Sequence, residues 1–165
     1  MISERPPRLC FLGLLSLFFA AALSAQDGVP PAVAVASAPP LIDETKTIAQ
    51  QAALTHLGGE KPFILRESSW SGNVDPGKAR LIQVQLFKRN DYHFWFAVPD
   101  RRAAVNLNLY NGKGELLEAK DFRYETPNVV SLVASPTETG IYYLRISLNT
   151  TVEEPQHWSV IYAYR

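Results

Sequence analysis

The chain has 165 residues, with 16 basic residues balanced by 16 acidic ones. That is room for one domain, without the basic stripe of a nucleic-acid binder or the charge block of a disordered tail. A single cysteine excludes a disulfide framework, and none of the three histidines, His56, His93 and His157, is spaced with another as a metal pair.

Residues 1–25 have the layout of a signal peptide: Arg5 and Arg8, an apolar run over 11–22, then small residues through Ala25. A bilayer span needs about 20 apolar residues. Extended to 9–25 the run would make an uncleaved anchor, but Ser16 and Ser24 weaken it. Cleavage near Ser24 or Ala25 is therefore expected, with export to the periplasm or beyond and no membrane span afterwards. Cys10 stands at the front of the apolar run, whereas a lipoprotein cysteine follows it, so the mature protein is expected to have no cysteine and to depend on its core. Residues 26–42 carry Pro30, Pro31, Pro39 and Pro40 among alanines and valines and read as a Pro/Ala-rich linker.

Residues 43–60 predict one short helix. Thr47 and Gln50 fit a capping box, Ala49, Ala52 and Ala53 favour helix, and Gly58-Gly59 supplies a stop. Ile48, Ala52 and Leu57 are the side chains expected to lean on the domain.

From residue 61 to 165 the pattern is β. Residues 62–68 predict a first strand, followed by a polar loop holding Trp70, Gly72 and Asp75-Pro76-Gly77. Residues 79–87 alternate, with Ile82, Val84 and Leu86 inward and Gln83 and Gln85 outward. In 91–114, Tyr92, Phe94, Phe96 and Val98 share one face of a strand, and Val105, Leu107 and Leu109 one face of the next. With Asn111-Gly112 as a hairpin dipeptide, these two predict neighbouring antiparallel strands, and 115–122 a hairpin partner for the second. Further strands are expected over 128–133 (Val130 and Leu132 inward), 141–148 (Tyr142, Leu144, Ile146 and Leu148) and 157–164 (Trp158, Val160, Tyr162 and Tyr164). Seven or eight short strands with turns between them argue for an all-β fold, an antiparallel β-sandwich preceded by one short N-terminal helix.

Chemistry-bearing residues are sparse. His93 alternates with core aromatics and is expected to face solvent or a neighbouring strand. Ser68, Ser69 and Ser71 lie in the predicted loop with no nucleophile elbow around them. Asp91, Asp100 and Asp121 sit at predicted strand ends and are the candidate oxygen ligands for calcium, which needs 6–8 of them; turn-making carboxylates are the simpler reading. Trp70, Trp95, Tyr110 and Tyr143 are the candidate ligand-binding residues, since exposed aromatics stack on sugar rings or anchor protein partners. The simpler reading has Trp95 covered by the helix or a long loop, and Trp70 capping the sandwich.

The run from residue 69 to 164 resembles the bacterial pre-peptidase C-terminal domain and its stand-alone secreted relatives. The shared pieces are Gly72 with Pro76-Gly77, the aromatic strand of Tyr92, Phe94 and Phe96, the stretch NLNLYNGKGE, and TGIYYLRISL with a closing aromatic strand. The resemblance implies a jelly-roll-like sandwich that accompanies secreted enzymes and is not itself catalytic. Family members often carry acidic residues before the Leu-Tyr, where this chain has Asn106 and Asn108, so the calcium sites of some relatives do not carry over residue by residue. The expectation is a non-catalytic, exported binding or protein-interaction module without a cofactor, its partner a protein or glycan of the cell envelope. The alternative is a calcium- or carbohydrate-binding accessory domain.

Overall fold

The computed structural model describes residues 43–165. The predicted leader and linker, residues 1–42, lie outside the described residues. The helix is α1 (Glu44–Leu54), and the strands are β1 (Ile64–Val74), β2 (Ala79–Leu86), β3 (Tyr92–Ala97), β4 (Ala104–Tyr110), β5 (Lys120–Arg123), β6 (Val129–Ala134), β7 (Gly140–Asn149) and β8 (Gln156–Tyr164). They form an antiparallel sandwich with a five-stranded sheet, β1-β8-β3-β6-β5, and a three-stranded sheet, β2-β7-β4.

Period-two alternation selects the main core. Phe94, Phe96, Leu132 and Val160 from the larger sheet meet Val84, Leu107, Leu109, Leu144 and Ile146 from the smaller one, all buried. Each such side chain contributes roughly 1.5–3 kcal/mol on burial. A second core lies on the opposite face of the five-stranded sheet, where Ala49 and Ala53 of α1 press on Trp95, Ala97, Ile161 and Ala163. Thr45, Ala49 and Ala53 repeat every four residues, which keeps them on one stripe of the helix, and their small size lets the backbone approach the sheet.

Several local expectations are corrected. β3 and β4 do not pair: they belong to different sheets, and across the core β4 lies nearest β6. Their inward sets are nonetheless as read, because side-chain phase survives whichever neighbour the strand takes. Residues 115–122 form no hairpin partner for β4. Only a single bridge joins Tyr110 to Leu116, and the chain then leaves for the other sheet, where β5 pairs with β6. The turn at Asn111 does form. Its side-chain Oδ1 accepts from the Lys113 and Glu115 amides at 2.9 Å each, and Gly114 takes φ 81°.

The first strand runs on through the serines and Trp70, which are strand residues, not loop residues. The helix is capped by Asp43, not by Thr47: the Asp43 carboxylate accepts from the Lys46 amide at 3.1 Å, and Thr47 already lies within the first turns.

Candidate functional site

Among the described residues no other element covers the second face of the three-stranded sheet, and α1 packs chiefly on β8, β3 and β6 of the other sheet. Register builds that face row by row. Gln83 lies opposite Tyr143, Tyr143 opposite Tyr110, and Tyr110 opposite Leu116. The next row runs Leu81, Arg145, Asn108. Directly paired residues point to the same side, with strands about 4.8 Å apart, so the first row is a continuous band about 15 Å wide. Leu81 is 66 % exposed and Leu116 61 %. None of the outward residues on these three strands is acidic, and Arg145 is their one cation.

Of the four candidate aromatics, the fold therefore brings Tyr110 and Tyr143 together. Trp95 is withdrawn from the binding set: it is fully buried under α1, and its indole N–H donates to Tyr124 Oη at 3.0 Å. Trp70 is half-buried on β1, its ring 5.2 Å from that of Tyr162.

Of the two expectations for His93, solvent or a neighbouring strand, the second holds: the imidazole is turned toward Ser131 of β6. It is fully buried, stacked on Trp95 at 3.8 Å, and its Nε2 shares a 2.9 Å hydrogen bond with Ser131 Oγ. Ser131 is bonded in turn to Tyr124 Oη, so a polar chain runs Trp95, Tyr124, Ser131, His93 beneath the end of α1. Burial, reinforced by His56 and Arg165, pushes the His93 pKa down to about 3. Among the described residues Nδ1 has no partner, so an imidazolium would bury an unsatisfied N–H. The sequence did hold a signal: Tyr92–Val98 is an almost unbroken apolar run, the mark of a strand covered on both faces.

A second unforeseen cluster gathers Asp43, Thr45, His157 and Ser159. Ser159 Oγ donates to Asp43 Oδ2 at 2.9 Å and lies 2.6 Å from Thr45 Oγ1, while His157 Nε2 stands 3.5 Å from Asp43 Oδ1. The residue types are those of a hydrolytic triad, but the wiring is not. The serine donates to the carboxylate instead of to the imidazole, and it is fully buried. This cluster fastens the helix N-terminus to β8.

Asp91 and Asp100 flank opposite ends of β3, a strand about 20 Å long. Asp91 bonds Arg165 and Ser135, Asp100 bonds Thr150 and the Arg102 amide, and Asp121 is exposed on β5. Among the described residues no three His, Cys, Asp or Glu gather as metal ligands. No helix among them is long and apolar enough to cross a membrane. Compared with known proteins, the chain matches no family model and no curated protein.

Proposed function

We propose that the protein is a non-catalytic binding module, exported to the periplasm or cell surface, that engages an envelope partner through the open face of the three-stranded sheet. The band Gln83–Tyr143–Tyr110–Leu116 carries the reading. An unpartnered sheet face is ordinarily polar; exposed leucines rimmed by tyrosine, arginine and amide side chains are the composition of a recognition surface. Export is supported by the leader pattern of residues 1–25, and the non-catalytic reading by the resemblance to pre-peptidase C-terminal domains.

Carbohydrate is the favoured second reading for the partner. Two tyrosines beside Gln83, Asn108 and Arg145, on strands without an outward carboxylate, offer ring-stacking and hydrogen bonds suited to a sugar.

Retention of the pure protein on native envelope material, with and without protease treatment, tests both readings. Tyr143→Ala and Tyr110→Ala should each weaken retention about tenfold, a cost of about 1.4 kcal/mol typical of an interface anchor. Binding that survives proteolysis selects the glycan. Retention unchanged by both substitutions sinks the open-face assignment. Intact mass of exported protein should place the mature N-terminus within a few residues of Gln26; a chain keeping residues 11–22 would mean an anchor instead.

A further inference from the structure

A second recognition feature lies at the end of the sandwich, where the edges of β1 and β2 come together. Between Leu65, opposite Ala163, and Ser69, opposite Ile161, β1 advances four residues while β8 advances two. The two extra residues bulge from the sheet edge, and a bulge of this kind re-aims the side chains it carries. Arg66 is the first residue of that bulge, and its guanidinium carbon stands 5.7 Å from the centre of the Tyr164 ring. Among the described residues it has no carboxylate at ion-pairing distance.

Arg66 overhangs a notch of about 270 Å³ walled by Tyr92, Tyr162, Tyr164, Phe87, Gln85 and Asn90, none of them acidic. Phe87 is 50 % exposed, an apolar ring held at the rim. Tyr92 is only 4 % exposed. Its hydroxyl oxygen accepts from the Phe87 amide at 3.0 Å and from Asn90 Nδ2 at 3.2 Å. A phenol oxygen has two lone pairs and one proton, so both acceptor sites are taken and the proton remains to be donated. Among the described residues nothing accepts it. The notch therefore presents an exposed cation and an unspent O–H donor beside aromatic walls.

The Tyr162 and Tyr164 hydroxyls beside Arg66 are neutral acceptors; a carboxylate would supply a charged pair of oxygens in a plane that a guanidinium fork matches. The volume lies just below the roughly 300 Å³ at which drug-sized pockets begin, enough for one six-membered ring. We propose that this notch binds a small ring-bearing carboxylate, with the acid accepting from Arg66 and Tyr92 Oη and the ring lying against Phe87 and Tyr162. A uronic-acid sugar and a simple aromatic acid share this chemistry. The inference stands apart from the open face, since neither Tyr110 nor Tyr143 lines the notch.

Amide-resolved NMR titration with glucuronate and with benzoate, each against its neutral counterpart (glucose and benzyl alcohol), tests it. At least one acid should shift the Phe87, Asn90 and Tyr162 amides in the millimolar range, and which acid does so distinguishes sugar from aromatic acid. Arg66→Gln, at an exposed position where folding is not at stake, should weaken that binding about tenfold or more. Tyr92→Phe should weaken it while native-like spectra persist, and Tyr143→Ala should leave it intact. No shift with either acid, equal binding of the neutral counterparts, or unchanged affinity in Arg66→Gln would each overturn the proposal.

Discussion

His93 sets how the domain should respond to mild acid. In the unfolded chain the imidazole titrates near 6.5; in the fold, burial and the neighbouring His56 and Arg165 charges hold it down to about 3. Between those values the unfolded chain takes up a proton that the native protein refuses. Stability is therefore full above about pH 6.5 and falls as pH drops toward 3, by up to about 1.4 kcal/mol per pH unit. Urea midpoints measured from pH 7 to 4 should decline in the native protein and flatten in His93→Phe, whose ring suits the Trp95 and Phe122 surroundings. An undiminished slope in the variant would place the acid sensitivity elsewhere. A neutral-pH comparison reads the strand faces. Phe96→Ala empties a fully buried site and should cost roughly 3–5 kcal/mol, whereas Asn108→Ser, on the open face, should cost under about 0.5 kcal/mol.

At the scale of one element, α1 illustrates a helix that exists because of what it rests on. Eleven residues are too few for a stable isolated helix, so its order derives from Ala49 and Ala53 against Trp95 and from the anchorage of its N-terminus. Asp43 serves both ends of that anchorage, capping the Lys46 amide and accepting from Thr45 and Ser159 across to β8. Burial alone would raise the Asp43 pKa, but the hydrogen bonds from Thr45, the Lys46 amide and Ser159, together with the His157 charge, overcome it and bring the pKa down to about 2. Its stabilising contribution is accordingly complete above about pH 4 and lost as pH falls through 2, a window distinct from that of His93. Asp43→Ala should cost about 1–3 kcal/mol, through the lost cap and the buried hydroxyls of Thr45 and Ser159 left without their acceptor. Urea unfolding followed by Trp95 fluorescence would show it; a loss within error would mean the clamp carries no weight.

The whole molecule is wired almost entirely by crossings between its two sheets. Of the successive strands only β5 and β6 are both adjacent in sequence and paired. Such a sandwich derives its stability from two cores, one between the sheets and one under the helix. Asp91 and Asp100 are already engaged by Arg165, Ser135, Thr150 and the Arg102 amide, and Asp121 stands apart on β5. Thermal melts with chelator and with excess calcium should therefore nearly coincide. A ligand at 100 times its dissociation constant stabilises by about 2.7 kcal/mol, so a bound calcium would show as a shift of several degrees.

The sequence by itself determined the fold class and the phase of each central strand. Alternation in Tyr92–Val98, Val105–Leu109 and Tyr142–Leu148 is local information, and it holds whatever the strand pairs with. Tyr110 and Tyr143 were legible as outward aromatics for the same reason. That they are cross-strand neighbours was not, since β4 and β7 come together only after the chain has crossed between sheets. Tertiary structure also decided that β3 and β4 go to different sheets, because turn residues signal a reversal without saying whether the chain returns to the same sheet or arches to the other. It decided the fates of Trp95 and His93, whose outward phase means exposure only if nothing covers that side. It placed Arg66 over the tyrosines through a bulge that no alternation pattern announces. Strand periodicity is a property of neighbours along the chain; coverage, pairing and convergence are properties of residues far apart in it, fixed only when the two sheets and the helix close on one another.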